Sequence, residues 1–105
     1  MNDTNSKILY SPAIRDFCCR NGIVELQVFG SVLRNDFNEN SDIDFLISFD
    51  ENSAHTLFDI ARMKIEVEAI IGRPVDIVNK KALLNSKNFL RREAILKDTA
   101  VIYAA

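Results

Sequence analysis

Helical and strand-like hydrophobic patterns alternate along this chain, which predicts an α/β (α+β) fold: a small mixed β-sheet with helices mainly on one face. Three observations carry the prediction. Val24, Leu26 and Val28 alternate with Glu25 and Gln27, and Ile43, Phe45, Ile47 and Phe49 repeat the same period of two, the pattern of strands with one buried face. Around them, Ile14, Phe17 and Cys18, then Leu57, Ile60, Met63, Val67, Ile70 and Ile71, recur at helical spacing. With 105 residues and 48% hydrophobic content the chain can bury one continuous core, so residues 8–105 are expected to form a single domain behind a flexible polar stretch, 1–7.

Ser11-Pro12 supplies an N-cap and a proline for the first helical position, and Asn21-Gly22 supplies a left-handed stop, so the first helix should end near Arg20. The strand over Val24 to Val28 leaves through Phe29-Gly30-Ser31, Val32 to Asp36 reads as a short helix, and Asn38-Glu39-Asn40-Ser41 has turn composition. On the returning strand Ile43, Phe45, Ile47 and Phe49 share one face, which leaves Asp42, Asp44, Leu46 and Ser48 on the other. Asp50-Glu51-Asn52-Ser53 is a polar loop, and the longest helix follows from Leu57 to Ile71, closed by Gly72. Arg73-Pro74 breaks it, and Val75-Asp76-Ile77-Val78 reads as a third strand with Asp76 opposed to its apolar neighbours. Leu83, Leu84, Phe89, Leu90, Ile95 and Leu96 are then helical core positions, and Val101-Ile102-Tyr103 a final strand or a docked tail. Strand order does not follow from these patterns.

Composition excludes several classes of function. Lys and Arg number 13 against 15 Asp and Glu, a formal charge of −2, so no basic excess exists to hold a polynucleotide and direct nucleic-acid binding is not expected. No apolar run approaches the length of a membrane span and the start of the chain lacks the apolar stretch of a signal peptide, which predicts a soluble, cytoplasmic protein. Cys18 and Cys19 are adjacent in a helix, too divergent for an ordinary disulfide, and read as packing residues. His55 reads as a helix-start or surface residue, and Arg91 and Arg92 beside Glu93 as a solvated helix face, with contact to an acidic partner surface as the less frequent alternative.

The chemistry-bearing residues are Asp42, Asp44 and Asp76 with Gly30 and Ser31. Two carboxylates at i and i+2 on a strand project the same way and repel unless a cation lies between them. Mg²⁺ suits such a pair, because it takes few carboxylates and completes its shell with phosphate oxygens and water, and two such ions serve phosphoryl chemistry. Asp76 would supply a third ligand if its strand lay beside the second. Upstream, Gly30 permits close backbone approach to a phosphate and Ser31 offers a hydroxyl. Arg34 is placed either to meet the same charge or to brace the loop through an acid such as Asp36. A lone D-x-D arises by chance in roughly one chain in three of this length. The combination with Gly-Ser upstream and a strand Asp downstream is what carries weight.

Phe29-Gly30-Ser31-Val32-Leu33-Arg34-Asn35-Asp36, followed by Ser41-Asp42-Ile43-Asp44-Phe45-Leu46-Ile47, resembles the signature of the minimal nucleotidyltransferases (MNT) of the polymerase-beta superfamily. Arg73-Pro74-Val75-Asp76-Ile77-Val78 matches the segment of that family's third carboxylate, and Arg92-Glu93-Ala94-Ile95-Leu96 with Val101-Ile102-Tyr103 is similar to its ending. The resemblance covers nearly the whole chain. It implies the polymerase-beta-like fold, two Mg²⁺ ions on Asp42, Asp44 and Asp76, phosphate contacts from Gly30 and Ser31, and ATP as donor of AMP with release of pyrophosphate. It further implies a cognate HEPN-type ribonuclease toxin as partner in a hetero-oligomer, silenced by AMP attached to a tyrosine. Leu33 and Asn35 depart from the family's common Ala and Gly, which makes the loop after Ser31 bulkier. Two other readings keep the fold: a non-catalytic antitoxin that covers the toxin's active site, and a transferase with a small-molecule acceptor. Tyr10 and Tyr103 are acceptors of a self-labelling reaction only if they are not simply packed.

Overall fold

Asn21-Gly22 and Gly72 end the two longest amphipathic runs, and the chain between and after them is left to pair as strands. The computed structural model describes residues 3–34 and 41–105. Helix α1 (Asp3–Leu9) and helix α2 (Pro12–Arg20) lead into strand β1 (Ile23–Phe29) and a 3₁₀ turn (Gly30–Leu33). Strand β2 (Ile43–Phe49), helix α3 (Leu57–Ile71), strand β3 (Val75–Asn79), helix α4 (Lys80–Leu84), helix α5 (Phe89–Lys97) and strand β4 (Thr99–Ala104) complete the chain. The opening stretch that composition assigns to a flexible start is helical from Asp3, anchored by fully buried Leu9. The short helix expected to reach Asp36 stops at Leu33, and the expected turn over Asn38 to Asn40 lies outside the described residues.

Local signals account for the helix ends. Pro12 opens α2 behind an extended Ser11. Thr56 and Asp59 form a reciprocal capping box at the start of α3, the Thr56 hydroxyl accepting from the Asp59 N–H at 3.2 Å while the Asp59 carboxylate accepts from the Thr56 N–H at 2.9 Å. Gly72, at φ 80°, stops α3 and donates its N–H to the Glu68 carbonyl at 2.8 Å.

The sheet runs β3-β2-β1-β4, with β1 antiparallel to both β2 and β4, and β2 parallel to β3. A parallel pair needs a crossover, which α3 supplies. One face buries Ile14 and Phe17 of α2, Leu26 and Val28 of β1, Phe45 and Ile47 of β2, and Met63 and Val67 of α3 in a single cluster. The expected alternation in β1 is shifted by an irregularity between Ile23 and Glu25, so Ile23 is buried and Val24 only half-buried. The other face carries a smaller cluster, Phe29, Leu46, Val78, Leu83 and Ile95, covered by α4 and α5. Three positions assigned to the core by helical periodicity, Leu84, Phe89 and Leu90, are instead exposed, as is Leu57 at the start of α3. Helices α4 and α5 are 5 and 9 residues long, and each turns a single residue fully inward, Leu83 and Ile95. Among the described residues no helix is long and apolar enough to cross a membrane.

Candidate active site

Register puts the predicted carboxylates together. Asp76 of β3 is the direct neighbour of Asp44 on β2, Asp44 is opposite Phe29 on β1, and Phe29 is opposite Thr99 on β4. Paired residues project to the same face, so this row crosses the whole sheet at the end of β1 and the start of β2 and β3. Asp42 precedes β2 by one residue and is exposed, as is Asp76, whereas Asp44 between them is half-buried. The entry to β2 is fixed by the Ile43 N–H donating to the Pro74 carbonyl at 3.1 Å and by Arg73 donating to the Ser41 carbonyl at 3.3 Å.

Burial, then the charges of Asp76 and Asp42, push the Asp44 carboxyl above its ordinary range, with Arg34 acting in the opposite direction. No group of three His, Cys, Asp or Glu among the described residues is gathered tightly enough to hold a metal ion by itself. Asp44 and Asp76 on paired positions, with Asp42 just before β2, are oxygen ligands of the kind that a hard cation such as Mg²⁺ takes together with phosphate oxygens and water.

Gly30 leaves β1 at φ 76°, a conformation that L side chains rarely adopt, and a Cβ there would collide with the Asp44 carboxylate. Glycine thus serves this position twice, for the turn and for the place of the Asp44 carboxylate, which a Cβ would push aside. Ser31 follows, its carbonyl accepting from the Arg34 N–H at 2.9 Å, and Arg34 is exposed on the rim.

A cavity of about 710 Å³ opens here between the 3₁₀ turn and the end of α5. Phe29, Gly30, Arg34 and Asp44 line one side and Ile95, Lys97, Asp98 and Thr99 the other, while Asp42 and Asp76 stand outside it toward β3. That volume is within the roughly 300–1,000 Å³ of small-molecule pockets in general. Lys97, Asp98 and Thr99 carry no motif, and only the Thr99–Phe29 pairing brings them to the site. Beside them Gln27, nearly buried, donates to the Thr99 hydroxyl at 3.0 Å, and Lys80 donates to Glu25 at 3.1 Å and to Gln27 at 3.3 Å, which ties β4 and α4 to β1. Tyr10 and Tyr103 lie away from this cavity, Tyr103 against Cys19 at 3.5 Å.

The sequence matches the family described as nucleotidyltransferase domain over residues 12–102. It is 35% identical over 79 residues, 75% of this chain and 78% of the relative, to a provisionally named protein adenylyltransferase of Methanocaldococcus jannaschii. A solved structure described provisionally as a minimal nucleotidyltransferase is 39% identical, with a TM-score of 0.63 and coverage of 84% of both chains. A second, an MNT antitoxin in complex with the tri-AMPylated HEPN toxin of Shewanella oneidensis, shares the fold at 14% identity and a TM-score of 0.64, covering 95% of this chain and 73% of that one.

Proposed function

Because the chain belongs to the nucleotidyltransferase domain family and is an enzyme of that type, we propose that it transfers AMP from ATP to a protein hydroxyl, a tyrosine of a cognate HEPN-type toxin, and so acts as an antitoxin. The observation that carries this reading is the cross-strand pair Asp44–Asp76 set beside the positive-φ Gly30 turn at the mouth of the cavity. The relative named as a protein adenylyltransferase and the fold shared with an AMPylated toxin complex support a protein acceptor.

In this reading Asp42, Asp44 and Asp76 would hold Mg²⁺, as two ions. When bound, these neutralise the triphosphate and lower the pKa of the attacking hydroxyl. Gly30 lets the backbone approach the β- and γ-phosphates, and the Ser31 hydroxyl and Arg34 guanidinium hydrogen-bond their oxygens. Asp76, exposed on the edge strand β3, would help to hold the ion that meets the acceptor hydroxyl. The acceptor oxygen attacks the α-phosphorus in line, the bond from that phosphorus to the bridging oxygen of pyrophosphate breaks, and the hydroxyl proton leaves to a site carboxylate or to water.

The test is incubation with labelled ATP, Mg²⁺ and the product of the adjacent gene, with wild type compared to the double variant Asp42→Asn, Asp44→Asn. Label on a tyrosine of that product with wild type alone is the expected result. Equal toxin rescue by both proteins with no label in either would overturn it in favour of neutralisation by binding.

A further inference from the structure

Charge is unevenly distributed along this chain. The segment 80–97 holds six basic side chains and one acid, a local charge of +5 in a chain of −2, so the remaining residues together carry −7. Lys80 is engaged by Glu25, but among the described residues Lys81, Lys87, Arg91 and Lys97 take part in no ion pair. The same segment exposes Leu84, Phe89 and Leu90, the last two by 58% and 80%. Arg92 joins these parts, its guanidinium 5.3 Å from the Phe89 ring centre and donating to the Leu84 carbonyl at 3.5 Å.

This patch is continuous with the cavity. Leu90, Ala94 and Lys97 stand at i, i+4 and i+7 on α5, one row of the helix, and Ala94 and Lys97 line the cavity. At 1.5 Å rise per residue the row is about 10 Å long, the span of roughly three extended residues. A chain bound over Leu90 therefore reaches the cavity with its next few side chains.

From this we infer that the α4–α5 face docks an acidic protein segment with aliphatic or aromatic anchors, and that the docked segment carries the hydroxyl that enters the cavity. The inference rests on the adenylyl-transfer reading for its second half only. Charge complementarity selects the occupant: Lys81, Lys87 and Arg91, exposed in the same segment as Leu84, Phe89 and Leu90, match acids flanking large apolar side chains. A polynucleotide would gain nothing from the aliphatic Leu84 and Leu90, whereas apolar anchors on a protein segment would.

Three probes test this on the full chain, labelled with ¹⁵N: a 15-residue peptide of Glu and Asp with two Leu and one Tyr, the same peptide with Lys for each acid, and a 15-nucleotide oligo-dT. Anionic phosphatidylglycerol vesicles form a fourth arm. The acidic peptide should shift amides of α4 and α5, and its affinity should fall at least tenfold in Lys87→Glu plus Arg91→Glu and in Leu90→Asp, with ATP binding unchanged. No binding of that peptide, equal binding of the Lys peptide, shifts elsewhere, or tighter binding of oligo-dT or vesicles would each overturn the inference. Docking of the peptide without AMP on its tyrosine, when the wild type labels no other protein, would sink the transfer reading and leave the docking face. Labelling of a protein acceptor that survives both charge reversals and Leu90→Asp would do the reverse.

Discussion

Gly30 leaves no room for a side chain against Asp44: a Cβ on the first would collide with the carboxylate of the second, and the backbone of Gly30 is held at φ 76°. Gly30→Ala should therefore displace Asp44 as well as strain the turn. The left-handed backbone alone costs about 1–2 kcal/mol for an L side chain. A carboxylate moved by about 1 Å is enough to lower a transfer rate on the order of 100-fold. Urea denaturation and single-turnover AMP transfer measure the two effects, and a fully active Gly30→Ala protein would show that Asp44 need not be where the turn puts it.

Asp44 beside Asp76 is a like-charge pair on neighbouring strands, destabilising on the order of 0.5 kcal/mol. The Asp44 carboxyl is raised by burial first and by Asp76 and Asp42 next, so the folded state binds its proton more tightly than the unfolded state does. Stability from that proton is complete below the unfolded carboxylate value and is lost as pH rises through the folded one. In metal-free buffer Asp44→Asn should match wild type near pH 3 and exceed it at pH 7, by about 2–4 °C in Tm, while losing transfer. A variant less stable than wild type at pH 7 would mean that Asp44 has a compensating partner even without metal.

The pattern of strands and of α3 was legible because Ile43 to Phe49 and Leu57 to Ile71 state their periods over several residues each. The pairing of Asp76 with Asp44 was conditional on a parallel β3, which no local signal specifies. The far wall of the cavity was not legible at all: Lys97, Asp98 and Thr99 reach it through the β4–β1 register, a contact between segments about seventy residues apart. Leu84, Phe89 and Leu90 misled for the opposite reason. Apolar spacing records which residues share a helix face, and it does not tell whether the same chain covers that face.

Thr56 opens α3 next to His55, whose ring packs on Phe49 at the far end of β2, about 17 Å along the strand from Asp44. Its hydroxyl satisfies the Asp59 N–H, so Thr56→Ala should cost about 1 kcal/mol. In a domain of this size that is a fall of about 4–8 °C in Tm, with the transfer rate at 25 °C unchanged. A matching loss of activity would show that α3 and the site are coupled, which this separation argues against.

Cys18 and Cys19 are adjacent in sequence yet differ in chemistry because α2 turns them to different sides. Cys18 is fully buried, and burial first, then Cys19, pushes its thiol up to about 12, so almost no thiolate exists at pH 8. Cys19 is exposed, its sulfur 3.5 Å from the Tyr103 hydroxyl on β4. A disulfide-exchange reagent at pH 8 should therefore label one thiol per native chain at once, and the second only on unfolding, so that the slow phase reports the opening of the α2–sheet core. Cys19→Ser should remove the fast phase and leave the slow one. Rapid labelling of both thiols in the native protein would mean that α2 does not stay packed on the sheet, and with it the buried face that holds β1 and β2 in register at the site.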